Sequence, residues 1–156
     1  IKVVEYDNFD RFQVSQITDN LLVGAYPKLE NDMIELKSKN VRAVLSLQSR
    51  RDLRAFSIDP EQLKRLYEKH GIRAYNIEIM DMKLKDFVDR SQQAVRLLRQ
   101  LVETYRTVYV HCTAGIYRSP QLVVLYLVQF EQFSVEQAVS FVKTRRPCAQ
   151  PYLSKL

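Results

Sequence analysis

Thr107 to Phe130, TVYVHCTAGIYRSPQLVVLYLVQF, decides how the chain is read. The first five residues, Thr107 to His111, are β-branched and aromatic up to the closing histidine, which predicts a strand. The last ten, Gln121 to Phe130, are apolar on nearly every side, which predicts a helix buried all round at the centre of the core. Between them, His111 to Pro120 form a strand-to-loop-to-helix transition in which Cys112 and Arg118 lie six positions apart. A short loop entering a helix N-terminus turns successive backbone N–H groups toward one point, where the helix dipole adds positive potential. Phosphate is the natural occupant of such a cradle, with Thr113, Ala114, Gly115, Ile116, Tyr117 and Arg118 around it. The same field favours the thiolate form of Cys112, and a thiolate is a nucleophile. Arg118 can fork two coplanar hydrogen bonds onto phosphate oxygens, which a lysine cannot. Gly115, one of three glycines in the chain, permits the positive φ or close approach that the curl requires.

Working outward, residues 13 to 25 read as two short strands joined by a turn at Thr18, Asp19 and Asn20. Leu29, Met33 and Leu36 recur at helical spacing, and Val41 to Gln48 is suited to a buried strand. The segment after Pro60 is a helix that stops at Gly71, and Arg73 to Ile79 alternates like a strand. A long helix is expected from Asp86 to about Arg106, with Phe87, Ala94, Leu98, Leu101, Val102 and Tyr105 on its apolar face. Ser134 with Gln137 resembles a capping box, with Phe133 and Ala138 placed for a hydrophobic staple, so a last helix runs to about Arg146. Strands alternating with helices predict a single α/β domain whose mostly parallel central sheet is covered by helices on both faces.

Composition agrees. The 156 residues carry 46% hydrophobic and 27% charged side chains, which fits one globular domain and excludes a collagenous, low-complexity or disordered chain. No apolar run reaches the roughly 18 to 20 residues of a membrane-spanning helix. Two cysteines, Cys112 and Cys148, make no disulfide framework and have no zinc-ligand spacing, which points to a reducing, cytoplasmic compartment. Cys148 reads as an incidental buried thiol, with a protective disulfide to oxidised Cys112 as the alternative. Ile1 in place of a methionine reads as a fragment or processed form. The formal charge of +6 attracts anions, but it is spread along the chain apart from Arg50, Arg51 and Arg54. Those three read as a solvated loop, and no nucleic-acid partner is expected.

His-Cys-x5-Arg-Ser is the signature of the cysteine-dependent phosphatases, and the chain resembles their dual-specificity branch across nearly its full length. The resemblance implies a protein-tyrosine-phosphatase-like fold and a two-step hydrolysis that uses no metal or cofactor. In it Cys112 attacks phosphorus, Arg118 holds the transition state, and water releases phosphate from a phosphocysteine. It implies that Ser119 hydrogen-bonds the Cys112 sulfur, against a plain reading as a helix cap. It also implies that His111 is a buried support for the loop, bonding backbone without transferring protons. The family's acid precedes the long helix, where Asp81, Asp86 and Asp89 are candidates. Asp81 is favoured: it directly follows the strand and lies 31 residues before Cys112. Asp86 reads as the helix N-cap and Asp89 as compensation of the helix dipole.

A narrower resemblance concerns substrate. DNLLVGAYPKLENDMIELKSKNVRAVLSLQ followed by SRRDLRAFSID looks like the recognition region of the glucan phosphatases, whose loop reads Cys-x-Ala-Gly-x-Gly-Arg. This chain keeps Cys112, Ala114, Gly115 and Arg118 but has Tyr117 in place of the second glycine. Tyr117 either lines the pocket mouth or points outward. The expected reading is a monomeric dual-specificity protein phosphatase, for phosphotyrosine and for phosphoserine or phosphothreonine. A glucan phosphatase is the alternative, and a phospho-binding pseudophosphatase the alternative of another class. A rhodanese-type sulfur transferase ranks below them, because its loop does not require the Arg-Ser ending.

Overall fold

The computed structural model describes residues 12–151. Among the described residues five strands form one sheet in the order β1-β2-β5-β3-β4, with β1 (Val14–Gln16), β2 (Leu21–Gly24), β3 (Ala43–Ser46), β4 (Arg73–Asn76) and β5 (Val108–His111). Only β1 runs antiparallel; β2, β5, β3 and β4 are mutually parallel. The helices are α1 (Glu30–Ser38), α2 (Arg50–Ala55), α3 (Pro60–Lys69), α4 (Leu84–Tyr105), α5 (Arg118–Phe130) and α6 (Val135–Arg145). None of them is long and apolar enough to cross a membrane.

Alternation along the strands sorts the core into two layers, because successive side chains leave a strand on opposite faces. Leu21, Val23, Ala43, Leu45, Val108 and Val110 join one cluster with residues of α4, α5 and α6. Leu22, Val44 and Tyr109 join the other with Met33 and Leu36 of α1 and Tyr67 of α3. β5, flanked by β2 and β3, is buried at every residue. The α/β class, the parallel sheet and the helices on both faces are as the sequence predicts. The helix α5 is packed by α4, α6, β2 and β5 and is buried over most of its length, although its last turn is not, with Gln129 exposed.

The predicted turn is held by Thr18, whose Oγ1 accepts from the N–H groups of Asn20 at 3.2 Å and Leu21 at 3.1 Å. Asp59 caps α3 through Glu61 N–H at 3.0 Å, and Gly71 leaves that helix with φ +71°. The capping box of α6 is present, with Ser134 Oγ accepting from Gln137 N–H at 3.1 Å and Gln137 Oε1 accepting in return at 3.0 Å.

Four expectations need correction. Arg50, Arg51 and Arg54 do not form a loop: they belong to α2, nucleated by a reciprocal cap between Ser49 and Asp52. The long helix begins at Leu84, so Asp86 is not its N-cap. It sits inside the first turn, where its carboxylate accepts from Met80 N–H at 2.7 Å and pairs with Arg90 at 3.3 Å. The strands β3 and β4 are shorter than their β-rich runs: regular pairing ends at Ser46 and Asn76, where Asn76 Nδ2 donates to the carbonyls of Ser46 at 3.0 Å and Gln48 at 3.1 Å. Beyond it the two chains stay joined only irregularly, Ile77 N–H donating to Ser46 O at 3.0 Å and Ile79 N–H to Leu47 O at 3.2 Å. Cys148 is exposed: the chain turns after α6, with Ala149 N–H donating to Arg146 O at 2.9 Å, and it is Arg146 and Ala149 on either side that are buried.

Candidate active site

Three parallel strands end on the same side of the sheet, and the segments leaving β3, β4 and β5 meet at one guanidinium. β5 runs through His111 into Cys112 and the loop to Tyr117, and α5 begins at Arg118 itself. The loop is shaped from behind. Five consecutive carbonyls are each bound by a donor outside the loop. His111 Nδ1–H donates to Cys112 O at 2.9 Å, Tyr26 N–H to Thr113 O at 3.1 Å and Arg146 Nη2–H to Ala114 O at 3.1 Å. Arg146 Nε–H then donates to Gly115 O at 2.7 Å and Gln150 N–H to Ile116 O at 2.7 Å. A trans peptide plane sets its N–H opposite its C=O. Drawing these carbonyls outward therefore turns the N–H groups of Thr113 through Tyr117 to the other side, as the anion cradle requires.

Gly115 makes the curl possible. It has φ +70°, and a Cβ there would lie 2.4 Å from the Gly24 carbonyl carbon and 2.7 Å from Arg146 Nη2. Gly24 is needed in turn, because its own Cβ would meet Gln13 O at 2.0 Å and Tyr109 Oη at 2.5 Å. The loop is thus packed backbone to backbone on the end of β2 and against the Arg146 guanidinium, with room for hydrogen only at Gly115.

Cys112 is 2% exposed, and its Sγ lies 3.3 Å from Ser119 Oγ, in reach of a sulfur hydrogen bond. His111 is buried and stacked on Tyr109, with ring centroids 5.7 Å apart. Because a carbonyl can only accept, Nδ1 carries the proton and the tautomer is fixed. Burial pushes the imidazole down to about 4, helped by the charge of Arg118 and opposed by the bond to Cys112 O, so the ring is neutral near neutral pH.

Arg118 is 1% exposed and almost fully engaged. Its Nη1 donates to Asp52 Oδ2 at 2.7 Å and to Ile79 O at 2.8 Å, with Leu47 O at 3.3 Å. Its Nη2 donates to Asp52 Oδ1 at 3.2 Å and to Thr113 Oγ1 at 3.5 Å. Asp81 is brought here, with Oδ1 3.4 Å from Arg118 Nε and its side chain half-exposed toward solvent. Asp89 is not: it pairs with Lys85 at 3.8 Å on the outer face of α4. Tyr117 is half-buried and packs against the main core beside α5.

Several residues of the site were not singled out from sequence. Asp52 was hidden behind the arginines around it, although Ser49-x-x-Asp52 is a recognisable cap. Burial disfavours its charge, but hydrogen bonds from Arg118 and Ser49 outweigh that and hold its carboxyl below the usual range. Gln48 Nε2 donates to Thr113 Oγ1 at 3.1 Å. Arg146, 2% exposed, reads in sequence as an ordinary basic helix end, and no local signal places it beneath the loop. Among the described residues no group of His, Cys, Asp and Glu is arranged to hold a metal ion.

This geometry is matched by the comparison with known families, in which the dual specificity phosphatase catalytic domain aligns with residues 21–155. The chain belongs to that family. As a dual-specificity phosphatase domain, it is 31% identical to mouse laforin over 144 residues, covering 85% of this chain and 44% of laforin. It is 27% identical to the phosphoglucan phosphatase LSF1 of Arabidopsis thaliana over 145 residues, covering 93% of this chain and 24% of that one. The domain therefore spans less than half the length of these curated relatives. Its fold is shared with the crystal structure of Cydia pomonella PTP-2 phosphatase, at a TM-score of 0.74 and 22% identity over 90% of this chain and 84% of that one. A protein-tyrosine-phosphatase-like fold and a cysteine-dependent phosphatase domain are the reading that sequence, geometry and relatives share.

Proposed function

We propose that this domain hydrolyses phosphomonoesters of proteins, with Cys112 as nucleophile and a phosphocysteine as intermediate. The observation that carries the reading is the loop itself. A buried thiol sits beneath a ring of N–H groups whose carbonyls are all bound from outside, beside a guanidinium at the first residue of the helix.

The Cys112 thiolate attacks phosphorus, a P–S bond forms and the P–O ester bond breaks. Asp81, half-exposed on the loop after β4, gives its proton to the leaving oxygen. The same carboxylate then takes a proton from water as that water attacks the phosphocysteine. The P–S bond breaks, phosphate leaves and Cys112 returns as thiolate. Ser119, 3.3 Å from the sulfur, donates to it and eases its departure in the second step. The N–H groups of Thr113, Ala114, Gly115, Ile116 and Tyr117 and the guanidinium of Arg118 receive the phosphoryl oxygens, where fixed donors lower the barrier most. His111 holds the first loop carbonyl and stays neutral.

A second reading, phosphoglucan hydrolysis, is favoured by one feature. Tyr26, bonded to the loop through Thr113, stands 5.7 Å from Phe56, which is 50% exposed, and Lys28 lies 5.2 Å above the Tyr26 ring. An exposed ring paired with a half-buried one beside a phosphate site suits the apolar face of a sugar.

The test is phosphate release by wild type and Cys112→Ser from phosphotyrosine and phosphothreonine peptides and from phosphorylated amylopectin. Release that needs Cys112 and favours peptides is expected. A preference for amylopectin would replace the main reading by the second, and activity in Cys112→Ser would refute the nucleophile.

A further inference from the structure

A buried carboxylate in a pocket meant for a phosphate dianion needs a physical reason, since like charges repel strongly where water is excluded. Asp52 is 8% exposed and uses both oxygens. Oδ2 accepts from Ser49 N–H at 2.7 Å, Ser49 Oγ–H at 3.0 Å and Arg118 Nη1 at 2.7 Å. Oδ1 accepts from Thr113 Oγ1–H at 3.1 Å and Arg118 Nη2 at 3.2 Å.

A guanidinium offers its five N–H groups along three in-plane edges. Asp52 takes the Nη1–Nη2 end, and the remaining Nη1 proton goes to the carbonyl of Ile79 at 2.8 Å, with that of Leu47 at 3.3 Å. What is left is the Nε–Nη2 edge. Besides Asp52 Oδ1, Nη2 has only the long 3.5 Å contact to Thr113 Oγ1. Nε is buried with no hydrogen-bond partner among the described residues and has Asp81 Oδ1 at 3.4 Å. A donor buried without an acceptor costs free energy unless a ligand completes it.

We propose that Asp52 is a positioning residue for the reaction: it clamps one edge of the Arg118 guanidinium so that the Nε–Nη2 edge is presented in plane to two oxygens of the phosphoryl group being transferred. This rests on the reading of the site as a cysteine-dependent phosphatase. The clamp is anchored in α2, because the Ser49 cap that starts the helix also fixes the Asp52 carboxylate. The helix that carries Arg50, Arg51 and Arg54 is thereby joined to Arg118.

The proposal separates two effects that a purely structural role would not. A tetrahedral dianion at rest is attracted by the loop N–H groups and by net charge, whatever the tilt of the guanidinium, and removing the Asp52 charge relieves repulsion. Transfer requires the fork to lie in the plane of the equatorial oxygens, and a misplaced group loses rate steeply. The test is kcat and KM of Asp52→Asn on an aryl phosphate, with competitive inhibition by tungstate as a measure of resting anion affinity. A kcat lower by about 10-fold or more is expected, with tungstate inhibition unchanged or tighter. In an Arg118→Lys background the same substitution is expected to change kcat by less than about 2-fold, since Asp52 acts through the guanidinium. Asp59→Ala, which removes the cap of α3 outside the site, is the stability control and leaves kcat unchanged. If Asp52→Asn does not fold, Ser49→Ala loosens the same carboxylate and moves kcat and tungstate inhibition in the same directions.

A kcat within about 2-fold of wild type overturns the clamp. So does a parallel loss of kcat and tungstate binding that persists in the Arg118→Lys background, because it would make Asp52 a support of the fold alone. The parent reading fails separately, by turnover in Cys112→Ser.

Discussion

Replacing His111 by Asn tests whether the histidine beneath the loop is a neutral structural donor. The imidazole is held at about 4 against an ordinary value of 6.5, chiefly because burial disfavours the cation. Between those values the unfolded chain binds a proton that the folded chain does not, so stability falls as pH drops through that window. For these two values the loss is about 1 kcal/mol by pH 5.5 and about 2 kcal/mol by pH 4.5, relative to pH 7. In Asn the side-chain amide nitrogen takes the place of Nδ1 and can still donate to Cys112 O, but it binds no proton in this range. Urea unfolding of wild type and His111→Asn at the three pH values supplies the measurement. Asp52, whose carboxyl is held low by Arg118 and Ser49, also loses stability as pH falls through the carboxylate range, but it does so in both proteins and cancels from the difference. The wild-type curve is expected to fall more steeply by about 2 kcal/mol over the full interval. Parallel curves, or a wild type that gains stability on acidification, would refute a neutral buried His111.

Gly115→Ala is expected to reduce kcat/KM by about 100-fold or more, since a Cβ 2.4 Å from Gly24 must displace the loop. The left-handed backbone adds about 1 to 2 kcal/mol of strain, visible as a lower melting temperature, and a fully active variant would contradict the packing described. Asp81→Asn is expected to slow hydrolysis of alkyl phosphates by about 10² to 10⁴-fold while sparing an aryl ester with an acidic phenol. Equal losses on both esters would move the acid elsewhere.

The chain by itself determined the class of fold and the residues on which the proposed chemistry rests. Cys112, Arg118 and Ser119 are readable because a nucleophile, a fork and a hydroxyl at fixed local spacing are enough, once the flanking strand and helix are recognised from their patterns. The β-branched and aromatic run of β5 and the apolar run of α5 likewise carry their own burial, since composition and period are local. Asp81 was legible from its place after a strand, although only the fold brought it within 3.4 Å of Arg118. The start of α4 was misread because Asp at a helix end suits a cap, whereas here Asp86 is spent on Met80 N–H, a contact set by how the preceding loop folds back. Tertiary structure alone decided what shapes and aims the site. Arg146 reaches loop carbonyls from 31 residues away, Asp52 meets Arg118 across 66, and Gly24 answers Gly115 through a contact between separate strands and loops. No sequence period reports such pairs. They arise where parallel strands end together, and their physical necessity, donors for buried loop carbonyls and room for every backbone, appears only when the chain has closed on itself.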